Sequence, residues 1–312
     1  MARLGTSALK PASRAEGELN VASVAEWIEG ARLRTLPAAV APVLAGAGIA
    51  IHEQGFSATR TILAALVALG LQVGVNYAND YSDGVRGTDA QRVGPQRLVG
   101  SGAARPGQVR AAAFGCFGLA AVFGLVLVAL AGQWWLIGVG AACILAAWYY
   151  TGGKHPYGYL GLGEVFVFIF FGLVATVGTA YVQLGQAPWP AWTAGTGMGA
   201  LACAVLVCNN LRDIANDKAA GKRTLETRLG ERGSRIFYAI LAGIAVLAVI
   251  ATAAGTTWWA LAGLAMVIFL IPATQHVLGG GQGLTLVRTL KFTGFAELAG
   301  GLGIFAGMLI GA

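Results

Sequence analysis

The stretch NYANDYSDGVRGTDAQRVGPQRLVGSG, residues 76–102, ends an apolar run at 61–79 and crowds amides, acids and arginines onto its close. A second stretch, NNLRDIANDKAAGKRTLETRLG at residues 209–230, does the same at the end of the run 192–211. The chain has five aspartates, Asp80, Asp83, Asp89, Asp213 and Asp217, and all five lie in these two stretches. Ionisable residues gathered at the edge of apolar segments are costly unless they serve a purpose, so this is where chemistry is expected.

Of 312 residues, 56% are hydrophobic and 11% are charged, against roughly 25% charged in an ordinary soluble domain. Apolar runs fall at about 35–52, 61–79, 109–131, 134–151, 161–183, 192–211, 235–254, 257–275 and 292–311. Most approach the roughly 20 residues that a membrane-spanning helix needs. The expected fold is an all-α membrane protein of nine transmembrane helices around a central cavity, with 47 glycines suited to close helix packing in lipid. Residues 1–20 read as a cytoplasmic tail and Val21 to Arg34 as a short amphipathic helix on the membrane surface. The domain division expected is thus 1–30 for the tail and interfacial helix and 31–312 for the membrane domain. Cys116, Cys143, Cys203 and Cys208 stand singly in apolar runs without zinc-site spacing.

The net charge of +7 would suggest nucleic acid in a soluble protein, but topology explains it better. With nine spans and the N-terminus inside, only Arg60 of the 21 basic residues falls at an outer position. By the positive-inside rule the chain lies in the cell membrane with its N-terminus and both aspartate-rich loops cytoplasmic and its C-terminus outside.

The spacing within the two stretches is similar. Asn79-x-x-x-Asp83, with Asp89 six residues on, parallels Asn209-x-x-x-Asp213-x-x-x-Asp217. Residues four apart share a helical face, so each run ends with an amide and a carboxylate pointing together. Such carboxylates repel unless a cation lies between them. Mg²⁺ fits, since it takes hard oxygen ligands from one or two carboxylates plus substrate phosphate. Basic residues follow the acids in each stretch, with Arg97, Lys222, Arg223 and Arg228 placed to complete a diphosphate cradle. The plainer reading, acids paired with neighbouring bases in solvated loops, fits one loop better than two that share a pattern.

These words resemble the UbiA superfamily of intramembrane prenyltransferases. The likeness is carried by Arg34-Thr35-Leu36-Pro37, Asn79-Asp80-Tyr81-Ser82-Asp83, Arg92-Val93-Gly94-Pro95, Tyr150-Thr151-Gly152, Pro156-Tyr157-Gly158-Tyr159, Phe170-Phe171-Gly172 and Asn209-Asn210-Leu211-Arg212-Asp213. Within the superfamily the words are most similar to the 1,4-dihydroxy-2-naphthoate polyprenyltransferases. The resemblance implies a nine-helix cavity open to membrane lipid, in which Asn79, Asp83, Asn209, Asp213 and Asp217 hold two Mg²⁺ ions on a polyprenyl diphosphate, with Asp80 and Asp89 in support. Asp89 departs from the general pattern, lying six residues after Asp83 where the superfamily has four. The reaction implied joins the prenyl group to 1,4-dihydroxy-2-naphthoate with loss of CO₂ and diphosphate.

Aromatic rings of Tyr150, Phe166, Phe170 or Tyr77 are candidates for facing an allylic cation. Arg34 and Lys154 are candidates for the acceptor's carboxylate or the diphosphate, and Glu164 for a proton carrier, with Glu297 the other acid inside a predicted span. Two other readings stay open: the same chemistry on 4-hydroxybenzoate or homogentisate, and a secondary transporter. Against the transporter, the acids gather at one membrane face and not at the midplane.

Overall fold

The computed structural model describes residues 22–87 and 97–312. Asp89 and Arg92 lie outside the described residues. The chain begins with α1, Val24–Gly30, started by a capping box in which Ser23 Oγ accepts from the Glu26 backbone N–H and Glu26 Oε2 accepts from that of Ser23 at 2.8 Å. A tight turn at Leu33–Thr35 leads into α2, Pro37–His52, with proline at its first position. Then come α3, Ala58–Arg86, α4, Pro106–Ala131, and α5, Leu136–Tyr149. After a loop with a tight turn at Tyr157–Leu160 follow α6, Gly163–Leu184, α7, Trp189–Ala219, α8, Leu225–Ala254, α9, Trp258–Leu278, and α10, Leu284–Ile310.

Every apolar run expected from the sequence is helical, but the count of nine spans is not reproduced by length. Among the described residues, seven helices are long and apolar enough to cross a bilayer. An eighth span results if Val24–Thr35 and α2, bent by 47°, are taken together, and α5 has only 14 residues. The molecule is a multi-pass membrane protein.

Several helices run past their apolar runs at the end that carries the aspartates. α3 continues through the polar residues 76–86, and α7 through 209–219. α8 begins at Leu225 and turns at Gly230, whose φ of 70° and ψ of 177° only glycine adopts readily. These extensions carry Asn79, Asp83, Asn210, Asp213 and Asp217 on helix, while Arg97, Lys222 and Tyr159 stand on connecting segments.

α7 is central, packed with α2, α8 and α10 around fully buried Ile49, Met198, Leu201, Tyr238 and Ile304. The middle of α6, Phe168–Val174, is a π-helical stretch, a geometry frequent at functional sites. Gly172 lies within it so close to α7 that a Cβ would come within 2.5 Å of the Gly199 Cα. α3, α4, α5 and α6 line a large apolar cavity together with α2 and α7. α1 packs its Trp27 edge-on against Tyr77 of α3, with centroids 5.5 Å apart, and Tyr77 Oη donates to the Trp27 carbonyl at 2.9 Å.

At the end opposite the aspartates, Arg60 is absorbed by helix C-termini. Its guanidinium donates to the carbonyls of Val182 at 3.0 Å and Leu130 at 2.7 Å, a favoured place for a cation. Exposed Trp134, Trp135, Trp189, Trp192, Trp258 and Trp259 stand at the helix ends and turns on that side, as tryptophans do at a membrane interface.

Candidate active site

Residues of α3 and α7 line both cavities, and the extended ends of these helices bring the two aspartate stretches together. A small polar cavity of about 70 Å³ is lined by Asn79, Asp83 and Arg97 from the first stretch and by Asn210, Asp213, Asn216, Asp217 and Lys222 from the second. Tyr150, Thr151, Gly158 and Tyr159, between α5 and α6, close it. The large cavity, about 620 Å³, shares three of those residues, Asn79, Arg97 and Tyr150. The two therefore meet end to end, a charged head on an apolar body.

Asp83 is the hub of the polar cavity. Lys222 Nζ lies 3.5 Å from its Oδ1, and 3.6 Å from Asp217 Oδ1. Arg97 Nη2 stands 3.9 Å from Asp83 Oδ2. Tyr159 Oη donates to Asp83 Oδ1 at 2.5 Å, and its ring lies under Lys222 Nζ, 4.5 Å from centroid. Burial first, and the Asp83 carboxylate next, push the Tyr159 phenol above its usual range, which keeps it a donor. Burial likewise holds the Tyr150 phenol well above its usual range. On the α7 side Arg212 grips Asp213 through two bonds of 2.7 and 2.6 Å and donates to Asn209 Oδ1 at 2.9 Å. Asn79 Oδ1 accepts from Thr151 Oγ1 at 2.7 Å.

The structure separates residues that the sequence had grouped. Asp80, one residue on from Asn79, is turned by the helix away from both cavities and accepts from the backbone N–H groups of Leu98 and Val99 at 2.8 and 2.9 Å. It thereby holds the loop that sets Arg97 against Asp83. Asn209 lines the large cavity with Arg212, while its neighbour Asn210 lines the polar one. Lys154, Arg223 and Arg228 are exposed and line neither cavity. Lys154 follows the outward turn at Gly153, with φ of 76°. The Arg223 backbone N–H pairs with the Tyr159 carbonyl at 2.9 Å and Arg228 Nη2 with that of Leu160 at 2.8 Å, so both secure the loop bearing Tyr159.

Glu164 is buried where α6 begins, and Asn210 Nδ2 bridges it at 3.4 Å to buried Glu226 of α8 at 2.9 Å. Glu297 is fully buried in α10 away from both cavities, and its carboxyl oxygens have no partner among the described residues. Arg34 lines the large cavity, as do Phe166 and Phe170, whereas Tyr77 is spent on α1. Sequence reading had passed over Tyr159, Thr151, Arg212, Asn210 and Glu226. Each of the first four lies inside a word already quoted, and that position was the available signal.

The donor set fits a hard divalent cation. Carboxylates of Asp83, Asp213 and Asp217 and amide oxygens converge from two helices. Among the described residues, no three carboxylate, imidazole or thiolate groups form a ready-made shell. That suits Mg²⁺, which keeps waters and takes phosphate oxygens beside one or two carboxylates. Among the described residues, Arg97, Lys222 and Arg212 stand beside these carboxylates.

The chain belongs to the UbiA prenyltransferase family, whose sequence pattern matches residues 39–282. It is 47% identical over 292 residues to the 1,4-dihydroxy-2-naphthoate octaprenyltransferase of Mycobacterium tuberculosis, covering 93% of this chain and 99% of the relative. Among solved structures, a UbiA homologue from Aeropyrum pernix has the same fold, with a TM-score of 0.67 and 17% identity over 88% of this chain and 97% of that one. A homologue from Archaeoglobus fulgidus, bound to GPP and Mg²⁺, is alike with a TM-score of 0.62 and 13% identity over 90% of this chain and 99% of that one.

Proposed function

We propose that this protein transfers a polyprenyl group from polyprenyl diphosphate to 1,4-dihydroxy-2-naphthoate, releasing CO₂ and diphosphate and giving demethylmenaquinol, a step of menaquinone biosynthesis. The observation that carries the reading is the junction of the two cavities at Asn79, Arg97 and Tyr150. It allows one substrate to place a charged head among cations and a long apolar tail along the membrane. The acceptor assignment draws on the naphthoate-specific relative.

Mg²⁺ is the proposed cofactor, two ions being expected, held by Asn79, Asp83, Asp213 and Asp217 with Asn210 alongside, and when bound it supplies positive charge to the diphosphate oxygens. Lys222 and Arg97 bind the same head and stabilise the negative charge that gathers on it as the allylic carbon–oxygen bond breaks. Tyr150, Phe166 and Phe170 face the carbon left electron-poor, with cation–π attraction of roughly 0.5–2 kcal/mol each. The apolar walls exclude water from it. Arg34 meets the acceptor's carboxylate. The ring carbon bearing that carboxylate bonds to the allylic carbon, and the carbon–carboxylate bond then breaks, its electron pair returning to the ring as CO₂ departs. Glu164 and Glu226, bridged by Asn210, are the proposed carriers that take the phenolic proton as the ring attacks and return it as CO₂ departs.

The test is to supply protein in lipid with a polyprenyl diphosphate, Mg²⁺ and each aromatic acid in turn, identifying products by mass. Prenylated naphthalenediol from the naphthoate, abolished by EDTA, is expected. Product only from 4-hydroxybenzoate or homogentisate would overturn the acceptor while keeping the reaction class.

A further inference from the structure

The large cavity has a second polar corner, two turns along α3 from Asn79, where α3 meets the turn Leu33–Thr35. Thr35 Oγ1 donates its single proton to the Arg32 carbonyl at 2.9 Å. Its lone pairs are then available only to donors, and they accept from Gln72 Nε2 at 2.8 Å and Asn76 Nδ2 at 2.9 Å. Asn76 gives its other amide proton to the Ala31 carbonyl at 2.9 Å. This accounting fixes the Gln72 amide with nitrogen toward Thr35 and oxygen away from it. Gln72 is 6% exposed and lines the cavity, and its Oε1 is a buried acceptor with no donor among the described residues.

A buried carbonyl left unpaired is costly, so the position calls for a donor. A prenyl chain has none to offer. The proposed acceptor has two phenolic hydroxyls, and Arg34, which lines the same cavity, precedes Thr35 in the chain. Resting on the prenyl-transfer reading above, we infer that Gln72 Oε1 accepts a hydrogen bond from a phenolic hydroxyl of the naphthoate, seating the ring against the Thr35–Asn76 corner. An aromatic acid with no hydroxyl at that place leaves the amide oxygen unpaired, so Gln72 is a specificity-determining residue for the acceptor.

The experiment compares binding of 1,4-dihydroxy-2-naphthoate with that of 1-hydroxy-2-naphthoate and 4-hydroxy-2-naphthoate, by calorimetry on the full chain in lipid, in wild type and Gln72→Leu. Wild type is expected to bind one monohydroxy compound about tenfold more weakly than the parent. Gln72→Leu is expected to bind that compound and the parent equally. Wild type binding all three acids equally would overturn the inference without recourse to any variant. So would a discrimination that survives in Gln72→Leu. The two readings fail separately: naphthoate bound with this hydroxyl dependence but never prenylated would contradict the proposed reaction and support the seat. Prenylation with no hydroxyl dependence would contradict the seat alone.

Discussion

Asp83 and Asp80 are three residues apart on α3 and do different work. Asp83 faces Lys222, Arg97 and Tyr159 in the polar cavity, and Asp83→Asn is expected to lower kcat/KM for polyprenyl diphosphate about a hundredfold, measured with Mg²⁺ saturating. Tyr159→Phe removes one hydrogen bond to that carboxylate and is expected to cost about tenfold in the same assay. Asp80 instead ties down two backbone N–H groups of the loop carrying Arg97. Losing two charge-assisted bonds costs about 3 kcal/mol or more, so Asp80→Ala should melt earlier in detergent. It should also raise the KM for the diphosphate substrate while leaving the Mg²⁺ dependence of the rate in place. A variant that melts like wild type, or that changes only the metal dependence, would contradict this division of labour.

At the scale of elements, the close crossing of α6 and α7 sets the aromatic wall. Gly172→Ala would put a methyl group 2.5 Å from the Gly199 backbone, and overpacking of this kind costs about 1–3 kcal/mol. The expected result is a lower Tm with a raised KM for long prenyl donors, read by thermal unfolding and kinetics against donors of several lengths. The helices themselves were legible, because apolar runs separated by Gly, Pro and charge leave few alternatives. So was the pairing of Asn79 with Asp83 and of Asp213 with Asp217, since a spacing of four fixes a shared face whatever the helix packs against. Three kinds of detail were not. Asp80 sits in the same word as Asp83, and only the loop at 97–99 decides which carboxylate it takes. Asn209 and Asn210 are adjacent, and the rotation of α7 against its neighbours decides which cavity each one lines. Tyr159 meets Asp83 across 76 positions of chain, and Glu226 meets Asn210 only because α8 starts earlier than its apolar run. These are tertiary contacts that no local period encodes.

Across the whole molecule, charge and tryptophan divide the two ends. The bases and acids of the site gather at one end, while the other carries exposed tryptophans and an Arg60 satisfied by helix carbonyls. We propose that the site end is cytoplasmic in the cell membrane. A reporter active only outside the cytoplasm, fused after Ala312, should be active, and the same reporter fused at Gly221 should be silent; the reverse pattern would invert the orientation. The proposed reaction couples prenyl transfer to loss of the acceptor's carboxylate at one ring carbon. It is tested most directly by supplying 1,4-dihydroxy-2-naphthoate labelled in its carboxyl group and counting labelled CO₂ against prenylated product. One CO₂ per product, with both vanishing together in Asp83→Asn, is the expected result. A prenylated product that retains the label would contradict it.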